Sequence, residues 1–255
     1  MKQVILALAI LVAGAALIFA LAGRRPAGNA PAHSAGAKAS GRERALTPPW
    51  PPATDQAIAV SKDLFAKNYY VVLDASGSMK DQACSGSQSK MQAAKAALAA
   101  FAASVPGDAN IGLQVFDQQG VSERLALSAG NRENFIRLVN TAEASGGTPL
   151  LDSVNQAYAK LTAQARRQLG YGEYHLVVVT DGEANPGQDP TPAIDRLLNE
   201  SPVVLHTIGF CIGNTHSLNQ AGRTLYKAAD NPGALQQGLA DVLAEAPQFS
   251  VQKFK

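Results

Sequence analysis

The run Tyr69–Met79 constrains the fold of this chain more than any other stretch. It opens with an uninterrupted apolar, β-branched segment, which is typical of a strand buried on both faces. The segment ends at Asp74, and Ser76 and Ser78 follow at two-residue intervals, so their oxygens can converge just beyond the end of the strand. One carboxylate and two hydroxyls suit a hard cation such as Mg²⁺. The same residues are also compatible with a simple Asx or Ser turn.

The composition indicates a globular domain without a nucleic-acid surface. The chain has 255 residues, enough for one domain of ordinary size with flanking segments, and a formal net charge of +2. It has no basic stripe interleaved with aromatic residues, so we expect no nucleic-acid partner. Its two cysteines, Cys84 and Cys211, form no CxxC pair and no Cys/His cluster, which argues against a structural zinc site.

Residues 1–23 are predicted to be a transmembrane anchor or a signal segment. Val4–Ala22 is continuously apolar and long enough to cross a bilayer as a helix. The Ala-Leu-Ala triplet at 20–22 also offers a small-x-small cleavage site, so a secretory signal is the alternative. The length of the run favours an uncleaved, single-pass anchor.

The charges that flank this apolar run give conflicting indications of its orientation. Arg24 and Arg25 outweigh Lys2, which by the positive-inside rule would leave the rest of the chain in the cytoplasm. A short N-terminal apolar segment is, however, the usual export device, and a pair of cysteines fits an oxidising compartment. We expect the domain on the extracytoplasmic side of a bacterial inner membrane, or secreted if the segment is cleaved.

A flexible linker is predicted at residues 24–60, and a short C-terminal tail at residues 248–255. The linker is rich in Ala, Pro, Gly and Ser and lacks periodicity, so it cannot bury enough apolar surface to order itself. It includes Pro48–Pro52, where it should be stiffer. Trp50, the only tryptophan, is expected to dock on the domain that follows.

The rest of the chain alternates predicted strands and helices. Strands are predicted at 69–74, 110–116, 124–127, 174–180 and 203–208, and helices at 90–105, at 133–142 and from residues 148, 191 and 231 onward. Thr148 and Thr191, each followed by proline, are predicted to be helix N-caps. This alternation predicts an α/β fold with a mostly parallel sheet covered on both faces.

Two of the strongest predicted strands end in aspartate. Asp74 follows the first, and Asp181 follows the second in Val177–Gly182. Because ligands bind at the carboxyl ends of the strands in parallel sheets, we expect both carboxylates at one edge. Thr148, in the loop Gly146–Pro149, opens a helix from which its hydroxyl can reach the same edge.

This set of residues resembles the von Willebrand factor type A domain and its metal-ion-dependent adhesion site. The family signature is Asp-x-Ser-x-Ser, then a distant Thr, then a distant Asp after a hydrophobic strand. Its positions are matched here, with no ligand missing, by Asp74, Ser76, Ser78, Thr148 and Asp181. The resemblance covers residues 68–247.

The resemblance implies both a fold and a binding chemistry. The fold is a Rossmann-like doubly wound, mostly parallel sheet with helices on both faces and one antiparallel edge strand, near Leu125. The metal is Mg²⁺, less often Mn²⁺ or Ca²⁺, with Ser76, Ser78 and one Asp or Thr as direct ligands and the others acting through water. Two aspartates only balance a divalent ion, so a Glu or Asp of a protein partner can complete its coordination.

Enzymatic alternatives lack their required residues. A haloacid-dehalogenase-type phosphotransferase needs a second Asp two residues after the first, where this chain has Ser76. The sequence contains no Gly-Lys dipeptide for a P-loop and no Gly-x-Ser-x-Gly elbow. The four histidines, His33, His175, His206 and His216, show no metal-ligand spacing, and His175 and His206 are expected to pack within strands. We therefore predict a protein that is not an enzyme.

Cys84 and Cys211 are both expected in loops at the edge that holds the predicted metal site. They form either a disulfide beside that site or two free thiols. The bond is expected if the domain is exported and not otherwise.

Two functions follow from these observations. The first is a membrane-tethered binding module, held through residues 4–22, whose metal captures an acidic group on a protein partner in adhesion or envelope assembly. The second is a cytoplasm-facing cofactor of an AAA+ ATPase machine, since some bacterial domains of this family work beside such ATPases. The compartment of the domain discriminates between them.

Overall fold

The structure, a computed structural model, describes residues 49–244. The strands are β1 Lys67–Asp74, β2 Asn110–Asp117, β3 Gly120–Ser128, β4 Glu173–Thr180, β5 Val204–Phe210 and β6 Leu225–Ala229. The helices are α1 Lys90–Ser104, α2 Arg132–Thr141, α3 Leu150–Arg167, α4 Thr191–Glu200 and α5 Pro232–Ala244, with a 3₁₀ turn at Gly77–Lys80. The predicted segments 1–23 and 248–255 lie outside the described residues. Between residues 49 and 244, no helix is both long and apolar enough to span a membrane.

The six strands form one sheet in the order β3-β2-β1-β4-β5-β6. All neighbouring strands are parallel except β2 and β3, which are antiparallel. The predicted Rossmann-like, doubly wound fold is therefore confirmed, with β3, which contains Leu125, as the antiparallel edge strand. The order reverses between β1 and β4, and such a switch point is where open α/β sheets bind their ligands.

Side chains of β1 alternate between two cores, one on each face of the sheet. Tyr69, Val71 and Leu73 pack in the core that includes residues of α1, α2 and α5. Tyr70 and Val72 pack in the other core, with residues of α3 and α4. Because both faces are covered, neither set can be polar, which explains the uninterrupted apolar run in the sequence.

Both predicted threonine N-caps are wrong. Helix α3 begins at Leu150, with Pro149 at the cap position and no capping side chain. Helix α4 already includes Thr191, because the Asp189 carboxylate accepts hydrogen bonds from the Thr191 backbone N and Oγ1 at 3.0 and 2.7 Å. The Thr191 hydroxyl is therefore engaged with Asp189, and each cap position lies one residue from the predicted one, at Pro149 and at Pro190.

Strand β6 was not predicted from the sequence. Its five residues, Leu225–Ala229, lie at an edge of the sheet and are mostly exposed. A strand of this kind has neither a continuous apolar run nor a buried alternating face, so periodicity gives no signal for it.

The first described residues pack against the amino end of β4 and the carboxyl end of α3. The Trp50 ring lies edge-on to the Tyr174 ring, with 4.9 Å between centroids, which confirms that Trp50 docks on its own domain. Arg166 Nε donates a 3.0 Å hydrogen bond to the Pro52 carbonyl. Part of the predicted linker, from residue 49 onward, is thus in contact with the domain, at the end of the strands away from Asp74.

Candidate metal centre

Asp74 is the last residue of β1 and lies at the switch point of the sheet. It is fully buried, at 0% exposure. Its Oδ1 accepts a 2.7 Å hydrogen bond from the Ser76 backbone N, and its Oδ2 accepts a 2.6 Å hydrogen bond from Thr180 Oγ1. The carboxylate is therefore held in one orientation by the strand next to it and by the turn that follows it.

Burial raises the pKa of Asp74 to about 6, although the hydrogen bonds from Ser76 and Thr180 act in the opposite direction. The nearby charge of Asp181 adds to the increase. A cation close to a carboxylate stabilises the ionised form. A cation bound beside Asp74 would therefore lower this raised pKa and stabilise the ionised carboxylate.

Ser76, Ser78 and Asp181 form a chain of short contacts beside Asp74. The two serine Oγ atoms are 3.0 Å apart, and Ser78 Oγ donates a 2.7 Å hydrogen bond to Asp181 Oδ1. Asp181 directly follows β4 and is 4% exposed. Ser76 is the cap residue of the 3₁₀ turn that begins at Gly77, and Ser78 lies within that turn.

Thr148 joins the same group through the loop before α3. The Thr148 and Ser78 hydroxyl oxygens each lie 3.8 Å from the point that a Cβ on Gly182 would occupy. The loop is tied to the turn by a 3.0 Å hydrogen bond from the Gly77 N to the Gly146 carbonyl, and Gly146 has a φ of +81°, a conformation that favours glycine. The structure therefore brings all five sequence-predicted residues together at one edge.

Asn185 holds Thr148 in place, a role that was not predicted. Its Oδ1 accepts a 3.1 Å hydrogen bond from the Thr148 N, and its own backbone N donates a 3.0 Å hydrogen bond to the Thr148 carbonyl. Gly147 makes room for it, because a Cβ at that position would collide with the Asn185 side chain. In the sequence, Asn185 belongs to an Asn-Pro-Gly triplet that predicts only a turn.

Lys90 is also part of this group and was not predicted to be. It is the first residue of α1, it is 6% exposed, and its Nζ lies 2.8 Å from Asp181 Oδ2. The sequence shows only a lysine at the start of a predicted helix, where such a side chain is usually solvated. Its burial depends on the distance between α1 and β4, which periodicity does not reveal.

His216 fixes the segment that follows Asp181. Leu218 N donates a 3.0 Å hydrogen bond to His216 Nδ1, so Nδ1 is the acceptor. The proton of the neutral ring is then on Nε2, which donates a 2.9 Å hydrogen bond to the Gly182 carbonyl. We assign this neutral tautomer from the hydrogen-bond partners.

Cys84 and Cys211 form a disulfide with an S–S distance of 2.01 Å. Of the two alternatives for the cysteines, the bond is thus confirmed. It connects the loop after the Ser76–Ser78 turn with the loop after β5, and the Cys211 N donates a 2.7 Å hydrogen bond to the Ala229 carbonyl at the end of β6. The loops around the candidate centre are therefore covalently joined.

The donor atoms of the group fit a hard divalent cation. They are two carboxylates and three hydroxyls, all oxygen, which is the donor type that Mg²⁺, Mn²⁺ and Ca²⁺ prefer. In the part of the chain that the structure describes, no three His, Cys, Asp or Glu side chains come together as a metal cluster. Asp74 and Asp181 would therefore supply all of the anionic ligands, and their role as ligands stays a prediction.

Comparison with known proteins shows what this part of the chain is similar to. Residues 69–183, which include all five candidate ligands, match the model of the von Willebrand factor type A domain. The uncharacterized protein YwmC of Bacillus subtilis is 26% identical over 156 residues, which span 56% of this chain and 66% of YwmC, just under two thirds of its length.

Solved structures share the fold at low sequence identity. The pilus adhesin SpaC from Lactobacillus rhamnosus GG superposes with a TM-score of 0.56 at 14% identity, over 73% of this chain and 31% of SpaC. An aerotolerance-related membrane protein from Bacteroides fragilis gives a TM-score of 0.54 at 15% identity, over 71% of this chain and 100% of that chain. At these identities the likeness concerns the fold alone.

Proposed function

We propose that this chain, whose residues 69–183 match the model of the von Willebrand factor type A domain, is a membrane-tethered interaction module whose bound divalent cation captures an acidic group on a partner protein. One observation supports this most directly. Five oxygen-bearing side chains from three separate segments, Asp74–Ser78, Thr148 and Asp181, meet at the carboxyl edge of the sheet. Domains of this type are generally interaction modules, and proteins with this fold include a pilus adhesin and a membrane protein.

The candidate ligands include both charged and neutral oxygen donors. Asp74 and Asp181 supply two negative charges, and Ser76, Ser78 and Thr148 supply neutral oxygens. When bound, Mg²⁺, or Mn²⁺ or Ca²⁺ in its place, would supply an electrophilic position for an external carboxylate. Because the protein's own carboxylates can do no more than balance a divalent charge, the centre keeps an attraction for a Glu or Asp of a partner.

A polar cleft beside the centre offers room for such a partner. Its volume is about 660 Å³, and its lining includes Lys80, Lys95, Gln92 and Ser145. Lys80 is exposed and lies two residues after Ser78. The two lysines would attract an acidic segment toward the centre, although Glu143 also lines the cleft and offsets part of their charge.

The disulfide between Cys84 and Cys211 favours the exported module over the cytoplasm-facing ATPase cofactor. Disulfides persist in oxidising compartments and are rare in the cytoplasm. The tether itself rests on the apolar run 4–22, which lies outside the described residues. Membrane attachment and export are therefore parts of the proposal that require their own experiment.

Metal binding is tested by titrating Mn²⁺ into the full-length protein in a mild detergent and measuring the heat of binding. We expect the wild type to bind, Asp74→Ala to lose binding almost completely, and EDTA to reverse it. Asp195→Ala, at a half-exposed carboxylate of α4 paired with Arg223, is the control and should bind as the wild type does. If the wild type gives no heat of Mn²⁺ binding that is abolished by EDTA, or if Asp74→Ala binds Mn²⁺ equally well, the centre does not hold a metal.

Export is tested with two C-terminal reporters, one active only outside the cytoplasm and one active only inside it. Activity of the first alone supports the adhesion or assembly function. Activity of the second alone contradicts it and directs attention to an ATPase partner.

A further inference from the structure

Lys90 and Asp181 form an ion pair inside the candidate centre. Lys90 Nζ lies 2.8 Å from Asp181 Oδ2, and the residues are 6% and 4% exposed. The other oxygen of Asp181, Oδ1, accepts the hydrogen bond from Ser78. A cation that belongs to the chain thus contacts one of the two carboxylates that a metal ion would use.

The charge of the centre can be counted from its buried groups. Asp74 and Asp181 contribute two negative charges and Lys90 one positive charge, which leaves one negative charge. His216 adds none, because its Nδ1 accepts the hydrogen bond from Leu218. A divalent ion would bring the total to one positive charge, which one further carboxylate from outside the chain would bring to zero.

We propose that Lys90 is a built-in competitor of the metal ion, which weakens cation binding to the bare centre and makes tight binding depend on an external carboxylate. This inference rests on the proposed function. It assigns to Lys90 a role in deciding what the centre binds, since a centre with a surplus positive charge selects an anionic partner. Like charges in a poorly solvated site repel each other strongly, so an ammonium group beside Asp181 should weaken the binding of a cation there.

The opposite role for Lys90 would be to position Asp181 as a ligand. Groups that orient a metal ligand usually strengthen metal binding. Asp181, however, is already held by Ser78 through Oδ1, and the residue after it is held by His216 at the Gly182 carbonyl. Lys90 also begins α1, and the N-terminus of a helix carries partial positive charge that adds to that of the lysine. We therefore expect the charge effect to exceed the orienting effect.

The test compares the wild type with Lys90→Met, Lys90→Gln and Lys90→Arg in the full-length protein, with Mn²⁺ alone as the probe. Met matches the lysine side chain as far as Cε and lacks its charge, and Gln, which is also one atom shorter than Lys, offers a neutral donor to Asp181. We expect both to bind Mn²⁺ roughly 10- to 100-fold more tightly than the wild type, the range in which neighbours of metal ligands act. Lys90→Arg, which keeps the charge, should show no such gain.

Thermal unfolding separates this role from a purely structural one. Without Mn²⁺, Lys90→Met should unfold at a lower temperature than the wild type because Asp181 is left buried without its partner. With Mn²⁺, that loss should be recovered. Unchanged or weaker Mn²⁺ binding by both uncharged variants, in a wild type that does bind, overturns the role of Lys90 alone. If neither the wild type nor the variants bind Mn²⁺, the proposed function itself fails.

Discussion

Thr180 Oγ1 donates a 2.6 Å hydrogen bond to Asp74 Oδ2 and so joins the carboxyl ends of the two central strands. Both residues are fully buried. Because β1 and β4 are neighbours in a sheet whose connections diverge at this point, the last residue of β4 lies beside the last residue of β1. The threonine hydroxyl therefore stabilises the carboxylate on which the candidate centre depends.

We expect Thr180→Val to lower the free energy of unfolding by about 1–3 kcal/mol, because a buried carboxylate oxygen loses its hydrogen-bond donor without a change in side-chain shape. Mn²⁺ affinity should fall as well, since Asp74 is then less well oriented. Urea unfolding of the full-length protein measures the first effect, and calorimetric titration measures the second.

Thr207→Val is the matched control for this prediction. Thr207 lies on β5, is fully buried, and has a hydroxyl without a hydrogen-bond partner. Its replacement by valine removes an unsatisfied polar group, so the protein should be as stable as the wild type or more stable. Equal losses in the two variants would show that valine is not tolerated in the sheet and would contradict the specific role of Thr180.

The sequence was sufficient to place Asp74 and Asp181 at one edge. Both aspartates follow continuous apolar runs, such runs are strands in the interior of a parallel sheet, and the carboxyl ends of parallel strands meet at one edge. The register confirms this, because Leu73 pairs with Val179. A local pattern determined a long-range arrangement here because the sheet leaves few alternatives.

The sequence was not sufficient to predict residues whose roles depend on contacts between distant parts of the chain. Lys90 is buried because α1 begins beside Asp181, and a lysine at the start of a helix gives no sign of that. Thr148 was expected to cap α3, but Asn185, 37 positions away, holds its backbone instead. Contacts of this kind depend on how loops lie over the sheet, which hydrophobic periodicity does not encode.

A pair of buried histidines should make the protein less stable in mild acid. His175 Nδ1 and His206 Nε2 are 3.1 Å apart, and both rings lie within the sheet. Burial lowers the pKa of His175 to about 4, with Lys67 acting in the same direction and Glu173 against it. Burial and the neighbouring His175 lower the pKa of His206 to about 3.

The sign of this pH dependence follows from whether the folded or the unfolded chain binds protons at the higher pH. Between about pH 6.5 and about pH 4 the unfolded chain protonates these histidines while the folded chain does not, so stability falls as the pH falls. In that window each histidine can lower the free energy of unfolding by up to about 1.4 kcal/mol per pH unit. Urea unfolding at a series of pH values should therefore show His206→Gln losing less stability on acidification than the wild type. The raised pKa of Asp74 affects both proteins alike, and equal slopes would contradict the prediction.

Removal of the disulfide should destabilise the domain. The bond joins residues 127 positions apart, and cross-links that close long loops restrict the unfolded chain most. We expect the double variant Cys84→Ser/Cys211→Ser to lose roughly 2–5 kcal/mol in the free energy of unfolding. Intact mass provides the check: the unreduced wild type should gain no mass on alkylation, whereas the reduced protein should be alkylated at two sites. A mass gain without reduction would show free thiols and contradict the bond.

Asn185→Ala should weaken metal binding while leaving the fold intact. Asn185 is exposed, so its replacement removes no core packing, but it removes the acceptor for the Thr148 N and frees the loop that positions the Thr148 hydroxyl. Loss of a group that orients a ligand typically costs 10- to 100-fold in metal affinity, and we expect a decrease of about that size for Mn²⁺. Asn134→Ala, at an exposed asparagine of α2 whose Oδ1 accepts a hydrogen bond from Arg137, is the control and should bind as the wild type does. A decrease in both variants would point to a general effect on the protein. An unchanged affinity in Asn185→Ala alone would show that Thr148 either needs no support from Asn185 or takes no part in binding the metal, and the Mn²⁺ affinity of Thr148→Val decides between the two.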